Sequence, residues 1–223
     1  MTQQVEPTTR IQVWDLSIRL FHWALVAAIG YLWYSGEEGG DMTWHMYIGY
    51  TVLGLVTYRI LWGLVGSHYA RFKEFIRSPK ATLRYALAFS KGKEPHFVGH
   101  NPLGGWMVIA LLLLVATQGV TGLFTSDDIF TDGPLVHLVS SDMVSTLSSI
   151  HKQTFDFILA AVALHVLAVV YHAVVKKDPI VPAMVTGKKI APLGTTASTL
   201  PLLRAIVIAA VAAATIWAVV NLL

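Results

Sequence analysis

An all-α integral membrane fold is predicted by three features of this sequence. Of its 223 residues, 55% are hydrophobic and only 13% charged, whereas a soluble domain carries about a quarter charged residues. Mean hydropathy is high, at +0.60. Seven Trp and eight Tyr suit the membrane–water interfaces, where amphipathic rings collect. Each apolar run is expected to be helical, because hydrocarbon offers backbone N–H and C=O groups no partners but one another.

A span needs roughly 20 mostly apolar residues, and five stretches qualify, at about 16–35, 44–66, 103–125, 150–175 and 201–222. Between the second and third, SPKATLRYALAFSKG offers Ser78 as N-cap, Pro79 at the first helical position and Gly92 as C-cap. Leu83, Ala86, Leu87 and Ser90 share one face, with Lys80, Arg84 and Lys91 away from it. That pattern predicts a short helix lying in the interface of one leaflet. The chain therefore divides into a four-span unit over 1–185 and a linker with one additional C-terminal transmembrane helix over 186–223. The polar start MTQQVEPTTR lacks a short apolar core followed by a small-residue cleavage site, so no cleaved signal peptide is expected.

Charge predicts the orientation. Arg10, Arg19 and Arg59, the seven Lys and Arg of 71–93, Lys176, Lys177, Lys188, Lys189 and Arg204 all fall on one side; Lys152 is the exception. The positive-inside rule then predicts a cytoplasmic N-terminus and a C-terminus on the outer side. Facing out are Glu37, Glu38, Asp41, Asp127, Asp128, Asp132 and Asp142. These carboxylates either steer a cationic partner or reflect only the depletion of basic residues from exported loops. There is no cysteine, which excludes disulfides, iron–sulfur clusters, thiolate metal sites and the attachment of c-type haem.

Histidines inside the spans carry the chemistry. In IHKQTFDFILAAVALHVLAVVYHAVV, His151 falls near the outer surface, and His165 about 21 Å deeper at ~1.5 Å per residue. Fourteen residues at about 100° each return His165 to within ~40° of the His151 direction, so both face one bundle interior. His45 opens the second span on the outer side, and His22 lies in the inner half of the first. Two depth-matched pairs result: His45 with His151, and His22 with His165, although His172 also matches His22 in depth. A histidine from each of two helices can ligate one planar haem iron axially, and two such layers form a relay from leaflet to leaflet. A single intramembrane histidine is otherwise a helix contact or a proton-relay member. Zinc is a poorer match, since neither layer has carboxylate or thiolate company. Gly30, Gly49, Gly54, Gly119 and Gly122 offer either room for a flat macrocycle or ordinary small-residue helix packing. Arg59 is expected to snorkel to the inner headgroups, or, like Arg19, to pair with a haem propionate.

The segments VWDLSIRLFHW, WHMYIGY, YRILWGLVGSHYARF and GHNPLGG, with the His151–His165 spacing, resemble the bacterial cytochrome b561 family, which includes the cytochrome b subunit of nickel–iron hydrogenases. The likeness covers roughly residues 11–185 in order. It implies a four-helix transmembrane bundle holding two haems b, with His22, His45, His151 and His165 as axial ligands to iron. It favours His165 over His172 and implies electron exchange between the quinone pool and an outer-face redox protein. His172, Arg19 and His100 are candidates to line a quinone site at the inner edge. The fifth span departs from the four-helix members and contains no histidine.

The expected function is thus electron transfer across the membrane between quinone and a periplasmic partner, either a cationic c-type cytochrome or a hydrogenase. The expected partners are the lipid bilayer, quinone and that protein, with no nucleic acid. Any enzymatic activity belongs to the complex. The alternative is a proton channel or transporter using the histidines as a relay.

Overall fold

The computed structural model describes residues 7–127 and 131–223; Asp128 and the first six residues of MTQQVEPTTR lie outside them. Five helices are long and apolar enough to cross a membrane. They are α1 (Leu16–Glu37), α2 (Met42–Val65), α5 (Pro102–Gly122), α6 (Ser141–Val174) and α8 (Leu202–Leu222). The short elements are β1 (Thr8–Gln12), α3 (Phe72–Phe75), α4 (Pro79–Phe89), α7 (Ile180–Thr186) and β2 (Lys188–Pro192). Because the long helices alternate in direction, the basic loops collect at one end of the bundle and the acidic loops at the other.

Side-chain caps fix most helix starts. Asp15, Asp41, Ser78, Asn101 and Ser140 each accept from a first-turn backbone N–H, which satisfies donors with no partner inside the helix. Two boundaries differ from expectation. Helix α6 begins at Ser141, nine residues before the apolar run, because Ser140 caps it and the stretch SDMVSTLSS continues the helix ahead of that run. Helix α4 has Ser90 at its C-cap rather than Gly92, and Gly92 adopts φ +64° in the turn beyond.

Helix α2 is the hub, packing against α1, α5 and α8, while α6 lies along α5. Midway along the bundle, Val52 and Val56 of α2, Val115 of α5 and Ile158 of α6 form an aliphatic band, completed by Leu25, Ile29 and Leu32 of α1. The fifth span packs on the bundle itself. Ile216, Val219 and Val220 of α8 meet Leu53 of α2, and Arg204 donates to the Val65 carbonyl at 2.7 Å.

The basic end is closed by contacts that local pattern does not announce. Strands β1 and β2 pair antiparallel, Thr8 opposite Pro192 and Gln12 opposite Lys188. Buried Asp15 accepts from Ile18 N–H at 3.0 Å, Ser17 Oγ at 2.6 Å and Trp62 Nε1 at 3.2 Å, and also from Ser67. The start of α1 is thereby locked to the end of α2. Lys176 meets Glu94 at 2.5 Å, which holds the Glu94 carboxyl below the usual carboxylate range and clips the loop after α4 to the end of α6. Leu83 and Leu87 of α4 stay 63% and 56% exposed, the apolar face expected of an interfacial helix.

Candidate functional site

The four singled-out histidines form two groups on opposite sides of the aliphatic band. At the basic end, His22 of α1 and His165 of α6 face each other with ring centroids 6.5 Å apart. Two metal–imidazole bonds of about 2 Å each, plus the ring radii, separate centroids by roughly 6 Å; the pair therefore fits axial ligation of one iron. His22 Nδ1 is buried without a partner among the described residues. Such a nitrogen is costly unless a ligand or ring orientation accounts for it.

At the acidic end, His45 of α2 and His151 of α6 lie within electrostatic range of each other. Each ring is held by a neighbour. His45 Nδ1 is 2.8 Å from the Ser35 hydroxyl, which donates to the Leu32 carbonyl at 3.3 Å. His151 Nδ1 donates to the Gln118 main-chain carbonyl at 2.8 Å. A carbonyl only accepts, so Nδ1 carries the proton and Nε2 keeps its lone pair. The Gln118 side-chain amide stands 3.2 Å from that Nε2 and donates to it. A Cβ added at Gly122 would come within 2.9 Å of the His151 ring; glycine there gives the ring its room.

Two histidines per layer suit a planar macrocycle that supplies the other ligands. Among the described residues there is no cluster of three or more His, Cys, Asp or Glu placed to hold a metal ion, so the set fits haem better than four-coordinate zinc. Of the glycines offered for macrocycle room, Gly119 and Gly54 instead approach Leu53 and Ile216, respectively, while Gly30 and Gly49 have nothing within 4 Å of an added Cβ.

The basic end holds the weaker candidates. Arg59 does not snorkel: it is 3% exposed, with its guanidinium 4.9 Å from the Phe72 ring centroid. The loop after α2 folds back through α3, placing Phe72 over it. Arg59 Nη1 has no hydrogen-bond partner among the described residues. His100 packs against Trp14 and Phe75, with centroids at 4.7 and 4.8 Å. Burial, aided by the charges of Arg59 and Lys189, pushes its ring down to about 3. It lines a cavity of about 280 Å³ with His68, Tyr69, Glu74, Phe75 and Phe97. Neither Arg19 nor His172 lines that cavity. Arg19 donates to the Val185 carbonyl at 2.6 Å, and His172 stacks on Phe89 at 5.8 Å.

Ser35, Gln118, Thr121 and Asp15 were not nominated by sequence. Gln118 carried a readable signal, as the one amide side chain in the apolar run of α5. Residues 13–187 match the family model described as prokaryotic cytochrome b561, a range that includes α1, α2, α5 and α6 and stops short of β2 and α8. No curated protein and no solved structure matches.

Proposed function

Because this chain belongs to the prokaryotic cytochrome b561 family, whose members bind haem b, we propose that it is a transmembrane electron carrier with two haems b. His22 and His165 hold one, and His45 and His151 the other. The observation that carries the reading is the 6.5 Å facing geometry of His22 and His165, with a second histidine pair, His45 and His151, within electrostatic range of each other beyond the aliphatic band. Haem iron with two imidazoles has no open position and supplies one-electron transfer rather than oxygen chemistry. The band of Val52, Val56, Val115 and Ile158 gives a proton wire few polar atoms to follow, which favours electron over proton passage between the layers.

The basic end lies in the cytoplasm by the charge rule. There we place the quinone ring in the cavity beside His100. Tyr69, Phe75 and Phe97 supply aromatic walls, and His68 and Glu74 can exchange protons with water. Arg59, a buried cation whose Nη1 has no partner among the described residues, suits a haem propionate. The acidic end receives the periplasmic redox partner. Glu37, Glu38 and Asp142 are exposed, while Asp41 also caps α2 and Asp127 also accepts from Thr131. A basic c-type cytochrome suits this surface, and a hydrogenase is the alternative.

The test is a pyridine haemochrome assay on purified protein, with a reduced-minus-oxidised spectrum. Two low-spin haems b per chain are expected. A colourless protein ends the reading and brings the histidine proton relay forward.

A further inference from the structure

The two histidine pairs differ in what holds their rings. At the acidic end both Nδ1 atoms are engaged: His45 with Ser35, which is fully buried, and His151 with the Gln118 carbonyl, with Thr121 Oγ1 beside it at 3.3 Å. At the basic end His22 Nδ1 is buried and unpartnered, and His165 makes no hydrogen bond among the described residues. An imidazole that donates from Nδ1 becomes a more basic ligand through Nε2 and favours the oxidised, more positive iron.

The surroundings act in the same sense. Buried Arg59 lies near His100 toward the basic end, partly offset by Asp15 beside it, and with the basic loops there favours an added electron at that end. Glu37, Glu38, Asp41 and Asp142 gather at the other end and oppose one.

Resting on the two-haem reading above, we infer that Ser35 and the Gln118 carbonyl, cleared for approach by Gly122, are positioning groups that fix the acidic-end imidazoles and make that end the lower-potential site. The role of Gly122 is steric. Without it the His151 ring would have to withdraw from α5, and its bond to Gln118 would lengthen.

Redox potentiometry of the haem-loaded protein, followed by its absorption bands, tests this. Wild type should titrate in two waves, and His45→Ala should abolish the lower one. Ser35→Ala and Gly122→Ala should each raise the lower midpoint and leave the higher in place. Loss of the higher wave in His45→Ala overturns the order. Two haems with unmoved midpoints in both Ser35→Ala and Gly122→Ala overturn the positioning role. A wild-type haem count below two instead overturns the paired-ligand reading itself, so the two failures are distinguishable.

Discussion

The acidic-end and basic-end histidine pairs use the same residue type on the same long helix, α6, yet they are built differently. His151 is tied to the main chain of α5 and His45 to a buried serine of α1; a shift of either helix would break a hydrogen bond. Among the described residues His22 and His165 face each other without such ties, and His22 packs edge-on against Trp23. Rigidity at one end is thus local and directional, whereas at the other it depends on how the loops close. Similar ligand sets can in this way be tuned independently at the two ends.

Removing ligands gives the largest effect. His45→Ala and His165→Ala should each leave roughly one haem per chain in place of two, read by pyridine haemochrome. If either variant lost both, the layers would not be separate sites. Next, Gly122→Leu should weaken haem retention at the acidic end by about 10–100-fold, the range typical of disturbed ligand support, while Gly30→Ala, which meets nothing within 4 Å, should change neither site. Equal losses in both would mean that ring clearance at Gly122 is unimportant.

A smaller change is expected from Asp15→Ala. It strips Trp62 and Ser67 of a buried acceptor and should lower stability by about 1–3 kcal/mol, measured by thermal unfolding in detergent. It should loosen the start of α1, and with it His22, before His45.

The gentlest probe is pH. His100 is neutral in the folded chain down to about 3, whereas an unfolded histidine takes its proton near pH 6.5. Below about pH 6.5 the unfolded state therefore binds more protons, and stability should fall as pH drops toward 3. His100→Phe should flatten that slope, as seen in unfolding midpoints between pH 7 and 4. An unchanged slope would place the acid sensitivity elsewhere.

The spans were legible because hydrocarbon imposes length and apolarity, and the facing of His22 and His165 because helix rise converts sequence distance into depth. Ser78 and Pro79 likewise announced α4. The rest depends on contacts that local pattern does not encode. TTRIQ and KKIAP are five residues each with no apolar–polar alternation in sequence, and pair only because the two ends of the chain meet. Arg59 reads as a snorkelling residue until α3 folds Phe72 over it. Ser35 and Thr121 could each have satisfied themselves within their own helices; only the histidine opposite reveals their second role.

The β1–β2 pair has a consequence for the order of assembly. Thr8 meets Pro192, so the first strand emerges early and waits for its partner. At ~5–20 residues per second, that wait is roughly 10 to 40 s, during which all three helices that carry the paired histidines, α1, α2 and α6, have been made. The clasp is therefore among the last contacts to form during synthesis, and α8 can dock on α2 only afterwards. Cofactor insertion at the basic end has that interval in which to occur before the terminal segments close over it.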